Sequence, residues 1–276
     1  MNKFFLLIFI IFFSFSCSKE KIKNSTITQK SLDLQVIEAY QEGIQSLNEG
    51  DVLFAAKKFN EAEMMFPQSP WAPRAALMAA YSYYSQDYYL DGIQELKRFI
   101  RIYPKHKNID YAYYLLGVSY YEQIVDEKKD LESIINAKST FNTLINNFPN
   151  TEYSLDAEFK LDLINDILAS KEMYIGRYYV QRKKWIPAIN RFKTVLDEYE
   201  TTIYTEEALH RLVEVYYTIG LTDEAKKYAL LLGYNYQSSK WYEKSYIVFN
   251  QLYEKEKKKR AKQKKSIVKK IKSLVE

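Results

Sequence analysis

The chain contains few of the residues that disulfide-stabilised domains and many-stranded β folds require. Its 276 residues include a single cysteine, Cys17, so no disulfide can form within the chain and its stability must come from packing. Seven glycines and six prolines are few for this length, which argues against an all-β fold with many tight turns. The composition therefore excludes a disulfide scaffold and disfavours a β protein.

Residues that typically carry catalysis or bind metals are also scarce. The only histidines are His106 and His210, and no Gly-rich phosphate loop, HExxH motif or cysteine cluster occurs. The acidic pair Glu206 and Glu207 is expected to cap the N-terminus of a helix, where the macrodipole favours negative charge. We expect His106 to order a loop through a hydrogen bond. The sequence thus predicts a protein that is not an enzyme and that binds no metal or cofactor.

Only one long hydrophobic run is present. It extends over ten residues, from Phe4 to Phe13, and follows the basic Lys3. This length suits the apolar core of a signal peptide and is well below the roughly 20 residues of a membrane-spanning helix. Ser16 precedes Cys17, which resembles the lipobox of bacterial lipoproteins, although Ser14 stands where that motif usually has leucine.

In a lipobox the cysteine is lipidated and becomes the first residue of the mature protein. We therefore predict a lipoprotein signal peptide over residues 1–16, a lipid on Cys17 and a flexible polar tether over residues 17–33. Several acyl chains on one cysteine anchor a protein firmly, whereas a single chain binds only marginally. The alternative is an ordinary cleaved signal peptide followed by an incidental thiol.

Positive charge is concentrated at the C-terminus. From Leu252 to Glu276 the chain has eleven Lys or Arg and three Glu, a net charge of +8, whereas the whole chain carries +5. This distribution argues against a nucleic-acid-binding domain, whose basic surface would belong to the folded body. We predict that residues 237–276 form a basic tail. It is either an amphipathic helix lying on anionic phospholipid or a disordered, solvated charge run.

A pattern of small and aromatic residues recurs along the body of the chain. In its first occurrence Gly50, Ala55, Phe59, Ala62 and Pro67 have the offsets of the second half of a tetratricopeptide repeat. Small residues let the second helix of a unit approach the first, the aromatic residue fills the gap, and proline ends the helix. The small residue of the second helix recurs in five units, as Ala55, Gly92, Ala137, Ala188 and Ala225.

These five units predict an all-α fold, a tetratricopeptide-repeat superhelix of about five helix-turn-helix repeats. We place repeats 1–3 in residues 34–150 and repeats 4–5 in residues 151–236. The absence of proline between Asp156 and Arg182 predicts that the first helix of the fourth unit is unusually long. Glu200 stands where that unit would have its closing proline.

Several stretches match one particular family more specifically than they match tetratricopeptide repeats in general. The residues from Phe99 to Pro104 and from Asn108 to Ala112 resemble the BamD family, lipoproteins of the machinery that assembles outer-membrane β-barrels. Phe148 to Thr151 and the pair Asn190-Arg191 look like the same family, and the lipoprotein signal agrees with it. The resemblance covers roughly residues 34 to 234.

The resemblance implies a non-enzymatic scaffold on the periplasmic face of the outer membrane. In that family the N-terminal half is implicated in receiving unfolded β-barrel proteins, and the C-terminal half docks a POTRA domain of BamA. Asn190 and Arg191 are therefore candidates for binding BamA, because the guanidinium fork suits carboxylates. The alternative for Arg191 is a solvated side chain. The candidate residues of the substrate groove are Tyr83, Asp110, Tyr111 and Tyr114.

Two alternatives remain open at this point. Asp110 lies early in a predicted helix, where a carboxylate contributes about 0.5–2 kcal/mol as a cap or through the helix dipole without any binding role. The whole chain could also be a periplasmic repeat adaptor that coordinates peptidoglycan enzymes or the Tol-Pal system. If the chain is instead a member of the BamD family, other lipoproteins of the assembly machinery are also expected partners.

Replacing Cys17 by alanine tests the predicted anchor. Without the thiol no lipid can be attached, so Cys17→Ala should move the protein from the membrane fraction to the soluble periplasmic fraction. Fractionation followed by immunoblotting measures the distribution. A variant that stays as firmly membrane-bound as the natural protein would contradict the lipoprotein interpretation.

Overall fold

The computed structural model describes residues 31–124 and 131–250, in which it contains eleven α-helices and no strand. The predicted all-α fold is therefore confirmed. The signal peptide, Cys17, most of the tether and the tail beyond residue 250 lie outside the described residues. The helices are α1 (Leu32–Asn48), α2 (Val52–Met65), α3 (Ala72–Tyr84), α4 (Tyr89–Ile102), α5 (Ile109–Tyr121), α6 (Glu132–Asn147), α7 (Glu152–Gln181), α8 (Trp185–Glu198), α9 (Thr205–Thr218), α10 (Thr222–Asn235) and α11 (Lys240–Phe249).

The helices form successive hairpins that stack in chain order. Each helix from α1 to α10 packs against the one that follows it, and the first helices of neighbouring hairpins meet where α3 contacts α5, α5 contacts α7 and α9 contacts α11. In such an array each unit depends on its neighbours rather than on one central core. Helix α11 occupies the place of a first helix after the fifth hairpin. Among the described residues, no helix has both the length and the apolar character that a membrane span requires.

Within three hairpins a glycine of the first helix lies directly against a phenylalanine of the second. A Cβ atom placed on Gly43 would lie 2.8 Å from the ring of Phe59, and the approach is closer still in the third and fourth hairpins. Those pairs are Gly117 with Phe141 and Gly176 with Phe192. All three phenylalanines are fully buried. The absence of a side chain on the first helix is thus what admits the ring of the second.

The turns inside the hairpins use the left-handed backbone region. Gly50 and Gly220 have φ of +86°, a conformation that glycine adopts without steric cost. In two other hairpins the corresponding positions are Asp87 and Lys183, with φ of 63° and 56°. The same turn geometry is therefore kept with and without glycine.

Prolines follow three of the second helices, as predicted. Pro67, Pro104 and Pro149 each come two residues after the last residue of α2, α4 and α6. Helix α8 ends at Glu198 although no proline follows it. Here the hydroxyl of Thr205 donates to the backbone oxygen of Glu200 at 2.7 Å, which satisfies one carbonyl after the helix end.

Helix α7 confirms the predicted long helix of the fourth unit. Its 30 residues correspond to a length of roughly 45 Å at about 1.5 Å per residue. Ala157, Ile164 and Leu168, from its first half, belong to the core that also contains α4, α5 and α6. Ala169 and Met173, from its second half, belong to the core around α8 and α9. Helix α7 therefore contributes to both cores. It joins the N-terminal repeats to the C-terminal repeats, which the sequence analysis divides after residue 150.

Alanine at Gly117 and at Gly92 should have opposite effects on stability. Gly117→Ala forces a methyl group into the buried ring of Phe141, and such overpacking costs about 1–3 kcal/mol. Gly92 lies inside α4, where a Cβ would make ordinary contacts of 3.6–3.7 Å, so Gly92→Ala should stabilise the helix by about 0.5–1 kcal/mol. Urea denaturation followed by circular dichroism measures both. Equal stabilities for the two variants would show that the glycine does not set the spacing of the helices.

Candidate functional site

The first helices of the first four hairpins line an open cleft of about 550 Å³. Four tyrosines from four successive first helices line it, together with two cations from α3 and from the loop before α5. These residues are Tyr40, Tyr81, Tyr111, Tyr153, Arg74 and Lys107. Because α1, α3, α5 and α7 stack side by side, residues more than a hundred positions apart meet at one surface. The cleft therefore offers aromatic faces, hydroxyl groups and positive charge together.

Contacts between aromatic rings fix one wall of this cleft. The ring of Tyr153 lies 5.3 Å from that of Tyr111 and 5.3 Å from that of Tyr114. The hydroxyl of Tyr114 donates to Oδ2 of Asp156 at 2.7 Å, and Lys160 contacts the same carboxylate at 2.9 Å. Such aromatic pairs contribute about 0.5–1.5 kcal/mol beyond the area that they bury. The wall is thus formed before any ligand binds.

Burial raises the pKa of two of the cleft tyrosines, Tyr111 and Tyr40. Burial, with smaller contributions from Tyr81 and Tyr153, raises the pKa of Tyr111 to about 12. Burial also raises the pKa of Tyr40, and the positive charge of Arg74 offsets only part of that effect. At neutral pH these hydroxyl groups therefore stay protonated and can donate hydrogen bonds to carbonyl or carboxylate oxygens.

The predicted groove residues do not all lie at this cleft. Tyr111 lines it, and Tyr114 supports it through Tyr153. Asp110 lies in the first turn of α5 and accepts a hydrogen bond from the backbone nitrogen of Tyr111 at 2.8 Å. Tyr83 lies elsewhere, against α4, where Glu95 and Asp91 add to the effect of burial in raising its pKa. The structure therefore separates Tyr83 from the other three.

Sequence reasoning missed most of the cleft, because only Tyr111 of its four tyrosines and two cations was a predicted groove residue. The five others, Tyr40, Arg74, Tyr81, Lys107 and Tyr153, come from three helices and a loop that are far apart in the sequence. The available signal was weak, because tyrosine is frequent along the whole chain, with 26 residues. Only the stacking of first helices shows which tyrosines share a surface.

Both histidines have structural partners. Nδ1 of His106 accepts a hydrogen bond from the backbone nitrogen of Asn108 at 3.2 Å, which confirms the expected loop-ordering role. His210 is 3% exposed, and its Nδ1 lies 2.8 Å from the hydroxyl of Ser245. Its Nε2 lies 3.4 Å from Glu214. The Ser-His-Glu order resembles that of a hydrolase, but Ser245 is fully buried, so its hydroxyl cannot meet a substrate and instead joins α11 to α9.

The acidic residues at the start of α9 do not act as caps. The N-cap position is Tyr204, which makes no side-chain capping bond. Glu207 instead pairs with Arg177 at 3.2 Å and with Arg211 at 3.1 Å. The predicted position of both glutamates at the N-terminus of a helix is confirmed, because they lie in the first turn of α9. Glu207, however, pairs with arginine side chains instead of capping the helix. No group of three or more potential metal ligands occurs within residues 31–124 and 131–250.

Arg191 lies on α8 and contacts Glu172, which lines another cleft, of about 580 Å³, beside α6 and α7. Its Nη1 contacts the two carboxylate oxygens of Glu172 at 3.0 and 3.2 Å. The side chain of Arg191 is 42% exposed and that of Glu172 is 16% exposed. Asn190 is exposed beside it. Arg191 is thus neither buried nor fully solvated, and its present partner belongs to the same chain.

These features define a helical-repeat scaffold whose clefts are lined by tyrosines and charged side chains. Residues 32–231 match the family described as YfiO, outer membrane lipoprotein. The chain belongs to this family, that of the outer membrane protein assembly factor BamD. It is accordingly an outer-membrane lipoprotein and a non-enzymatic assembly factor, as the sequence predicted.

Relatives with that name are similar over most of their length. The factor from Rickettsia prowazekii is 42% identical over 230 residues, which cover 83% of this chain and 89% of that protein. The factor from Caulobacter vibrioides is 39% identical over 230 residues, covering 83% and 75%. Among solved structures, MamA covers 73% of this chain and 91% of its own, with 19% identity and a TM-score of 0.38.

Proposed function

We propose that this protein receives unfolded β-barrel proteins at the tyrosine cleft of its N-terminal half and binds BamA through the surface around Arg191. Family membership supplies the general role in outer-membrane protein assembly. The tyrosine cleft is the observation that carries the proposal for substrates. Its volume lies within the range of about 300–1,000 Å³ that is typical of ligand sites.

The chemistry of the cleft suits the end of an aromatic-rich strand. Tyr40, Tyr111 and Tyr153 offer ring faces on which an aromatic side chain can stack. Arg74 and Lys107 are exposed at the cleft and can bind a terminal carboxylate. An extended peptide also exposes backbone oxygens, to which the neutral tyrosine hydroxyls can donate.

The exposure of Arg191 supports its role in docking. Both contacts with Glu172 use Nη1, so the guanidinium retains donors for a second carboxylate. A partner carboxylate that enters the neighbouring cleft would form a triad with Arg191 and Glu172. The alternative function, a periplasmic adaptor for peptidoglycan enzymes or the Tol-Pal system, has no observation in its favour, whereas the whole repeat region matches assembly factors.

Substitutions in the cleft should weaken peptide binding, and a substitution at Tyr83 should not. A labelled peptide from the C-terminal strand of a barrel protein, titrated with the full protein, provides the affinity by fluorescence anisotropy. Arg74→Glu combined with Tyr111→Ala should raise Kd at least about tenfold, which corresponds to about 1.4 kcal/mol. Tyr83→Ala removes a tyrosine outside the cleft and is the matched control.

Amidating the C-terminus of the peptide tests the role of the two cations separately. Loss of the carboxylate should lower the affinity for the natural protein, but should not lower it for a variant in which Arg74 and Lys107 are both replaced by glutamine. Equal affinities for the Tyr83 and cleft variants would place the substrate site elsewhere on the array.

Reversing the charge at Arg191 should weaken docking more than the same change at Arg177. Each arginine pairs with a glutamate of this chain and is partly exposed, Arg191 with Glu172 and Arg177 with Glu207. Arg191→Glu should therefore cost about 2–5 kcal/mol of binding to BamA if docking buries the charge. Arg177→Glu loses a comparable internal pair and serves as the control. Calorimetric titration measures both, and equal losses would show that only the internal pairs matter.

A further inference from the structure

The tyrosines of the cleft begin a longer row on the same first helices. Tyr84 follows Tyr81 by one turn on α3, and Tyr114 and Tyr121 follow Tyr111 at helical spacing on α5. All five are partly exposed, and each also packs against the core that contains α4, α5 and α6. The segment from Tyr111 to Tyr121 has a length of about 15 Å at about 1.5 Å per residue. We call these five residues the tyrosine row.

Helix α7 closes one side of the row. Asp156 accepts the hydrogen bond from Tyr114 and pairs with Lys160. Nζ of Lys160 in turn lies 5.8 Å from the ring centre of Tyr121. Burial raises the pKa of Tyr84, and the positive charge of Lys160 opposes part of this effect, so that charge acts on tyrosines of both α3 and α5. The row is therefore a surface built by three first helices, and it continues the cleft.

The two ends of the row differ in charge. Helices α3, α5 and α7 begin at the end that contains Arg74 and Lys107, so the positive ends of their dipoles lie there too. Helices α3 and α5 finish at the other end, where Asp87 and Glu122 follow them. Both carboxylates add to the effect of burial in raising the pKa of Tyr84, which shows that they lie near the row. A bound chain would therefore meet cations at one end and carboxylates at the other.

We propose that the tyrosine row binds the C-terminal residues of an unfolded β-barrel protein as an extended strand. Its terminal carboxylate lies at Arg74 and Lys107, and the residues before it are directed toward Asp87 and Glu122. The proposal rests on the function proposed above and adds the length and the direction of the bound segment. A row of about 15 Å accommodates about five residues at about 3.3 Å per residue, and because alternate side chains of a strand share one face, about three of them would contact tyrosine rings.

Photo-crosslinking on the unaltered protein tests the direction. Two peptides from the C-terminal strand of a barrel protein carry a benzophenone side chain, one at the last residue and one about five residues before the end. Mass spectrometry then locates the crosslinks on the purified full protein. The last residue should crosslink near Arg74 and Tyr111, and the earlier residue near Tyr84 and Tyr121.

The crosslinks also separate this proposal from the one on which it rests. The reverse assignment, or the same crosslinks from both peptides, would overturn the tyrosine row while leaving substrate binding at the cleft intact. Crosslinks confined to helices other than α1, α3, α5 and α7 would overturn the substrate site proposed above as well.

Shortening the peptide tests the length. Tyr121→Ala should raise the Kd of a peptide of about seven residues by about threefold to tenfold, because one aromatic contact is lost. It should not change the Kd of a peptide of about three residues, titrated to saturation, since such a peptide would end before Tyr121. Tyr113→Ala is the matched control on the same helix, because its ring contacts Phe148 at 6.0 Å instead. An equal effect of Tyr121→Ala on both peptides, or equal effects of the two variants on the longer one, would overturn the proposal.

Discussion

The distance between the two helices of a hairpin is the constraint on which the array depends, and a pair of facing residues sets it. Where the first helix has glycine, the second has a fully buried phenylalanine, as in Gly117 with Phe141. The spacing of 16 residues that relates Gly43 to Phe59 and Gly176 to Phe192 leads in the second hairpin to Ala80 and Leu96, which are both fully buried. The first residue is larger there and the second is smaller. Dense packing explains this exchange, because a core at constant density tolerates changes only when the total volume is kept.

The stacking of these hairpins also forms the proposed binding surfaces. The first helices lie side by side, so their outward positions form a continuous face, and the tyrosine cleft occupies this face between α1 and α7. At the other end α11 takes the place of a first helix and joins α9 through His210 and Ser245, with a separation of 2.8 Å. Helix α11 is therefore held by a buried contact of the same array that forms the cleft. The proposed substrate and partner surfaces therefore belong to one continuous stack of helices.

The periodic features of the fold could be predicted from the sequence, whereas the contacts between units could not. The small residues of second helices, the closing prolines and the length of α7 follow from local spacing and from the absence of helix breakers. The residues that meet at the cleft depend on the offset between each hairpin and the one before it. Because the repeats differ in length, the sequence does not determine this offset, and Tyr40 and Tyr153 could not be assigned to one surface. The pair of Arg191 with Glu172 depends on the rotation of α7 relative to α8. The hydrogen bond from Thr205 to the backbone oxygen of Glu200, just after the end of α8, likewise could not be predicted without the position of Thr205.

Helix α7 has a consequence for how the protein is made. A chain exported across the inner membrane emerges with its N-terminus first, and we expect its units to fold in that order. The core around α5 and α6 includes Ile164 and Leu168, so it cannot close when residue 150 emerges but only after half of α7 has followed. Once that half is helical, the remainder of α7 presents Ala169 and Met173 as a template on which the next hairpin folds. Folding of the N-terminal core thus prepares the surface on which the C-terminal core forms. A polypeptide cut within α7, between Leu168 and Ala169, would leave apolar surface exposed on both pieces.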